Sequence, residues 1–385
     1  MLIIFVLLFL QTLNSNIVKY KVFNIESYYI FVIALLLYYL YILILKRKQI
    51  KIINTNRYAF IFILLSLLIF LLSLCNIHPF INNTEIIINK SYILRQSYYL
   101  LFFPLFFIFP QNKHYSNIKL FISKNNIIIV ALLLIYAIIN GYNNYLCFVI
   151  CFIILFNGDK IIEKVLESIL FMVSLLLKYT LTTEILISVL FIIIFIINEF
   201  KTITKASYKI LHYSFIICIL CCFIVPLLDI DFSSILDINS NWRLLYWKDE
   251  LTQLIKTYGF GVGYGTSYAT LEFVERTAYV PLGAFSANEN YSVMQQIFVT
   301  GSHNSFISVA FRTGLVGALL FVLFIVNLSK EIMKNYSKLS ASIIFAFYAS
   351  IIIITTNVGL ESPMYLTIFV FGVGMLLKEM NEKLE

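Results

Sequence analysis

Residues 58–75 read YAFIFILLSLLIFLLSLC, 18 residues without a charge and with only two serines as polar groups. As a helix this stretch is about 27 Å long, close to the ~30 Å hydrocarbon core of a bilayer. The segment before it, KRKQIKIINTNR at 46–57, is strongly basic. A basic cluster abutting a long apolar run is an orientation signal for a membrane span.

The same alternation recurs along the 385 residues, of which 61% are hydrophobic and 12% charged, with a mean hydropathy of +0.91. A soluble domain cannot hide that much apolar surface. The runs are continuous rather than alternating, which argues against a β-barrel. The expected architecture is an all-α polytopic membrane protein. The runs predict helices near 1–13, 28–45, 58–75, 96–110, 125–140, 143–156, 165–178, 182–198, 210–228, 304–327, 339–356 and 363–378, about twelve in all. The shorter ones can pair as re-entrant segments. MLIIFVLLFLQTL at 1–13 lacks a basic n-region and a following small-residue cleavage site, so it reads as a first membrane helix rather than a removable signal.

The segments 46–57, 111–124, 157–164, 199–209, 328–338 and 378–385 carry 18 of the 28 Lys and Arg. They alternate with the remaining connections, which puts them all on the cytoplasmic side and both termini with them. The net charge of +8 is therefore explained by orientation and not by nucleic-acid binding. Cys75, Cys147, Cys151, Cys218, Cys221 and Cys222 all fall in apolar runs. No histidine or carboxylate lies near the 218–222 group to complete a metal site, so they read as small packing residues.

One connection stands out. Asp229–Ser302 is 74 residues long, lies on the outer side, and holds eight carboxylates against four Lys and Arg. Its tryptophans, tyrosines and glycines suit a small folded unit. The expected division is a membrane bundle over 1–228, an outer loop domain over 229–302 and a second bundle over 303–385. Chemistry outside the membrane is expected in this loop.

Within it, NSNWRLLYWKDELTQLIKTYGFGVGYGT at 239–266 predicts a helix capped by Asn239, Ser240 or Asn241. Its apolar stripe is Trp247, Leu251, Leu254 and Ile255, and it ends at Gly259. Such a helix lies on the membrane surface or packs on the bundle's outer face. Arg243 falls in its first turn, beside free N–H groups and the positive helix end, where an anionic group such as a phosphate is favoured. The plainer alternative is a surface arginine paired with Glu250 or snorkelling at the headgroups. Gly261, Gly263 and Gly265 then alternate. Glycines let backbone amides approach an oxyanion, but this stretch follows a helix rather than a strand, so a sharp turn is the safer interpretation than a nucleotide loop.

The loop ends in GSHNSFISVAFRTGLVGALLFVLF at 301–324. His303 stands at the mouth of the next membrane helix, where an imidazole can act as base or donor. Asn304 and Ser305 can cap that helix. Arg312, two turns into it, is expected to face protein or a cavity. It lies nine positions past His303, on roughly the opposite face, and shares its side with Ser305. Gly314 and Gly317 permit close helix approach. Capping and packing alone also account for this pattern.

The W-R-x3-W segment, the G-x-G turn and the H-N-S-F-I end with G-x-x-G in the following helix, all between two spans, resemble the O-antigen ligase/polymerase superfamily. The specific likeness covers residues 241–324, and the layout with one large outer loop extends it along the chain. The resemblance implies a metal-independent glycosyltransferase of the C-type membrane fold, needing no cofactor. Its donor would be an undecaprenyl-diphosphate-linked oligosaccharide, transferred to a glycan acceptor on the outer face of the bacterial inner membrane. It also implies membrane lipids, a flippase and a chain-length regulator as partners. By position, Arg243 matches the arginine that grips the diphosphate and His303 the histidine that activates the acceptor, with Asn304, Trp247, Gly261 and Gly263 expected around the substrate. Many members carry a second arginine near the start of the eighth helix. Here that region reads KYTLTTEIL, so Lys178, Arg95 or Arg312 is the expected substitute. A proline common before the glycine turn is replaced by Tyr258.

A glycan polymerase is the leading functional expectation and an O-antigen ligase the runner-up. A lipid-linked oligosaccharide flippase is the alternative of another class. It is disfavoured because the helix midplanes are nearly uncharged and no internal repeat is visible.

Overall fold

The computed structural model describes residues 21–22, 25–26, 57–97, 99–102, 114–156, 161–177, 182–199, 204–228, 238–277, 293–357 and 359–384. The helices expected at 1–13 and 28–45 lie outside these residues, as does most of 96–110. Among the described residues the helices of seven residues or more are, in order, α1 (Arg57–Leu74), α2 (His114–Asn140), α3 (Asn144–Phe156), α4 (Ile161–Leu176), α5 (Thr182–Glu199), α6 (Thr204–Ile224), α7 (Ile238–Lys256), α8 (Leu271–Thr277), α9 (Val293–Val299), α10 (Ser305–Asn335), α11 (Ala341–Thr356) and α12 (Pro363–Leu384). Two-residue strands, β1 (Lys21–Val22) and β2 (Ile25–Glu26), pair antiparallel.

The chain is a helical membrane protein. Among the described residues four helices are long and apolar enough to cross a bilayer, Arg57–Leu74, Thr182–Glu199, Ala206–Leu227 and Ser305–Asn335. Helix α1 shows how composition sets placement. It is apolar all round, and turns Ala59, Phe62, Ile63 and Ser66 inward while Phe60, Leu64, Leu67, Leu68 and Leu71 stay exposed to the surroundings. In contrast, every residue of α3 is buried. Its Phe148 packs edge-on against Phe371 of α12 and tilted against Phe345 of α11. Helices α3, α11 and α12 thus form the centre, with α2, α4 and α5 around them.

Boundaries differ from expectation where the sequence is amphipathic. Helix α2 begins eleven residues before the expected 125, because its polar arm is helical up to a kink at Asn125 (φ −114°, ψ 17°). Helix α7 ends at Lys256, and the left-handed conformation begins already at Tyr258 (φ 53°), one residue before Gly259 (φ 80°). The Tyr258 and Gly259 N–H groups donate to Ile255 O and Leu254 O, a Schellman closure. Nor is α7 a simple surface helix. Leu251 and Leu254 pack with Ile307, Ala310 and Ala318 of α10, while Trp242 and Tyr246 enter a separate cluster with Tyr268, Phe273, Ile297 and Phe298. Ile255, expected on the buried stripe, is 63% exposed.

Helix α10 is broken at Gly314 (φ 77°, ψ 179°), and the glycine turn is docked at the break. Val262 N–H donates to Phe311 O (2.8 Å), Gly263 N–H to Arg312 O (3.1 Å), and Leu315 N–H to Gly259 O (2.8 Å). These are groups that an unbroken helix would satisfy itself. The approach is so close that a Cβ on Gly261 would stand 2.6 Å from Gly314 N, and one on Gly314 would stand 2.6 Å from Gly259 O. Gly261→Ala and Gly314→Ala are each expected to destabilise the protein by about 3 kcal/mol or more, through backbone collision added to left-handed strain. Gly141→Ala (φ 87°, nothing within 4 Å) carries strain alone, on the order of 1 kcal/mol. Thermal unfolding of the three variants in detergent would check the ranking.

Candidate functional site

The polar groups at the His303 end of α10 form two neighbourhoods. The first is built on the start of α7. Arg243, half-buried, directs Nη1 to Thr356 O at the end of α11 (3.3 Å). Thr356 Oγ1 in turn accepts from Thr183 Oγ1 in the first turn of α5 (3.0 Å). The fold therefore brings Arg243 to the beginning of the KYTLTTEIL helix; Lys178 lies outside the described residues. Two side chains of α7 pin the loop before α10: Tyr246 OH donates to Thr300 O (2.6 Å) and Trp247 Nε1 to Ser302 O (2.5 Å). Trp247 is thus occupied in holding the loop.

That loop presents His303 in a left-handed conformation (φ 60°). Its ring meets Trp242 edge-on at 6.3 Å, and its buried Nδ1 has no hydrogen-bond partner. Burial, reinforced by the Arg243 guanidinium, lowers its pKa to about 4. Asn304 caps α10, its Oδ1 accepting from Phe306 N–H (3.0 Å) and Ile307 N–H (3.3 Å). Ser305, the other expected cap, instead accepts Gly359 and Leu360 N–H through Oγ (3.0 and 3.1 Å), which ties α10 to the α11–α12 connection.

The second neighbourhood surrounds Arg312, which is 1% exposed. Its Nη1 donates to Gly263 O (3.3 Å), to Thr266 O (3.0 Å) and to Thr266 Oγ1. The guanidinium lies over the Tyr268 ring at 4.0 Å, and Nε stands 3.9 Å from Glu361 Oε1. Tyr268 OH donates to Glu361 as well. Glu361 sits between α11 and α12. Burial pushes its carboxyl up, opposed by Arg312, the Tyr268 hydrogen bond and Arg95. Arg95, half-buried, is thereby placed in the same neighbourhood. Arg312 and Ser305 do share a side, and both reach the 359–361 connection, away from His303. The expected alternative of an Arg243–Glu250 pair is not formed. Glu250 is fully buried and neither carboxylate oxygen has a hydrogen-bond partner. Burial holds its carboxyl well above the usual range, with Ser302 and Arg312 opposing.

Gly261 and Gly263 do not offer amides to an anion. Five successive N–H groups of the turn already have acceptors: Gly261 on Thr257 Oγ1, Val262 and Gly263 on α10, Tyr264 on Ser73 Oγ, and Gly265 on Gln96 Oε1. The turn is a structural wedge, and an oxyanion would have to displace one of these bonds.

Sequence reasoning did not single out Glu361, Tyr268, Thr266 or Gln96. For Glu361 a signal existed: it is the lone carboxylate between Glu331 and Glu379, and a buried arginine requires a counter-charge. The other three reach Arg312 or the turn through long-range folding, with no local pattern. Among the described residues no group of three or more His, Cys, Asp or Glu is placed to hold a metal ion.

Residues 166–322 match the family model described as O-Antigen ligase. The matched segment runs from α4 through the glycine turn into α10, and so contains Arg243, His303 and Arg312. The match supports the O-antigen ligase/polymerase superfamily, whose members are glycosyltransferase-like membrane enzymes acting on lipid-linked glycans. No curated protein and no solved structure matches the chain.

Glu361→Gln keeps the Tyr268 contact but leaves the Arg312 charge without its partner, and Arg312→Met strands the Glu361 carboxylate. Each is expected to cost about 3–5 kcal/mol. The double variant R312M/E361Q should be less destabilised than the sum of the singles, because it strands neither charge. Unfolding of all four proteins in a double-mutant cycle measures the coupling.

Proposed function

We propose that this protein is a membrane glycan polymerase. It transfers an oligosaccharide from undecaprenyl diphosphate to a growing O-antigen- or capsule-type polysaccharide on the outer face of the bacterial inner membrane. The observation that carries the reading is His303, its buried Nδ1 unpartnered and its ring against Trp242, the neighbour of Arg243 in sequence, inside the segment that matches the O-Antigen ligase family model.

In the reaction the bond from the sugar's anomeric carbon to the diphosphate oxygen breaks, and a bond to the acceptor hydroxyl oxygen forms. Diphosphate is a good leaving group, so it needs charge stabilisation rather than a proton donor. Arg243 supplies that charge, and Arg95 and Lys178 are candidates for a second contact. Arg312 is engaged by the glycine turn and Glu361, and serves to hold the loop on the bundle. The acceptor hydroxyl loses its proton to the imidazole of His303. A neutral imidazole is required for that step, and the Arg243 charge that grips the donor also disfavours early protonation of the ring.

A ligase that moves the glycan to a lipid acceptor is the second reading, favoured by the family description itself. It would use the same two residues. Deleting the gene separates the two. Loss of a polymerase leaves single repeat units, whereas loss of a ligase leaves long chains on the polyprenyl carrier.

His303→Ala is expected to reduce transfer by about 10²–10⁴-fold and Arg243→Ala by about 10²–10³-fold, with the protein still present in the membrane. Normal chain-length ladders on gels for both variants would overturn the site. The base form of His303 is lost only as pH falls toward about 4. Transfer should therefore persist at pH 5–6, where an ordinary histidine is already largely protonated. A rate profile whose acid limb falls near 6.5 would contradict the buried, arginine-flanked ring.

A further inference from the structure

Helix α10 has 31 residues, about 46 Å at 1.5 Å per residue, which exceeds a ~30 Å hydrocarbon core by about ten residues. The burial pattern shows which end is the excess. All ten residues from Ser305 to Gly314 are buried, and exposure begins at once beyond the break, at Leu315 and Val316 and again at Leu319. Beyond the break α10 is uncharged through Ser329, about 22 Å, and its last turns, with Lys330, Glu331 and Lys334, belong to the basic cytoplasmic side. The level of Gly314 is therefore where the exposed apolar face of α10 begins on the His303 side.

At that level lies an apolar rim. Tyr258 is 72% exposed, Phe260 62% and Phe80 44%. Phe80 touches both of the others, at ring separations of 5.3 and 5.2 Å. The rim is continuous with the exposed face of α10, because Gly259 rests on Leu315 and Phe260's backbone on Gly314. It is also continuous with α1 through exposed Ile77. Phe80 and Tyr258 are held at positive φ (58° and 53°), a conformation bulky residues avoid. The fold keeps this strain while leaving both rings uncovered. Two residues before Tyr258, Lys256 pairs with Glu85 (2.7 Å), so charge returns within two residues of the rim.

We propose that Phe80, Tyr258 and Phe260 dock into the bilayer, with phospholipid of the adjacent leaflet as their occupant. They thereby hold the glycine turn at the depth where chain and headgroup meet. Aromatic rings are enriched at that depth because they are apolar with a polarisable face, and Tyr258 adds a hydroxyl that reaches the wet side. The proposal concerns the lipid surface alone and stands whichever reaction the site performs.

The test places a photoreactive benzophenone side chain at 258 or 260 in the full chain, reconstituted in phosphatidylcholine–phosphatidylglycerol vesicles. Leu68, exposed on α1, is the lipid-facing control and buried Trp242 the interior control. After irradiation, phospholipid adducts at 258 and 260 are expected within about twofold of those at Leu68, and none at 242. Adducts at Leu68 without any at 258 and 260 would overturn the proposal. In native membranes the same probes should again capture phospholipid; capture of a protein or of an isoprenoid lipid in its place would also overturn it. Retention of the normal size-exclusion profile shows that each labelled protein is folded, and both probe sites are exposed enough to accept the larger ring.

Discussion

A membrane helix that breaks at one residue leaves carbonyl and amide groups unsatisfied where no water is at hand, at several kcal/mol apiece. In this protein the break at Gly314 is filled by another stretch of backbone. The turn from Gly259 to Gly265 lends its amides to Phe311 and Arg312 and takes the Leu315 amide in return. Neither partner is stable alone in this form. The helix requires the turn, and the turn, with left-handed φ at Gly259, Gly261, Gly263 and Gly265, requires a partner surface without side chains. The outer segment is thereby fixed to the bundle through main chain, and the loop that carries His303 inherits its position from that attachment.

A second constraint is electrostatic. Arg312 leaves the broken helix two residues before Gly314 and is sealed from solvent. Its charge is balanced by turn carbonyls, the Tyr268 ring and Glu361. These partners come from two separate parts of the chain, so the arginine joins the stretch 263–268 to the α11–α12 connection at one point. Such a group specifies arrangement more than it adds stability, since a buried ion pair roughly recovers its own desolvation. Arg243 sits differently. It is half-buried, its Nη1 donates to a helix-end carbonyl, and it is the more exposed of the two arginines.

The apolar runs at 58–75, 182–198 and 304–327 were legible because span length and composition are local properties, and the corresponding helices form. The cap at Asn304 was legible for the same reason. The role of GFGVGYG was not. Alternating glycines signal close backbone approach but do not say to what, and the partner here is a helix break about 50 residues away. Arg312 was read correctly as facing protein, while its counter-charge came from Glu361, beyond another helix. Ile255 fitted the helical stripe of α7 but is exposed, because the helix is gripped on the two faces carrying Trp242 and Leu251. Periodicity finds one apolar face and does not anticipate two.

The backbone at His303 has a consequence for how this residue can vary. Among the described residues no carboxylate pairs with its imidazole; the ring is aimed by a left-handed φ immediately before a capped helix. Direction that other sites obtain from a hydrogen-bonded neighbour is here stored in main-chain torsion. Asn304 is then more than a cap, because releasing its bonds to Phe306 and Ile307 would let the torsion relax and swing the ring away from Trp242 and Arg243. Histidine and cap form one conformational unit, so a change at either position is felt as a change at both.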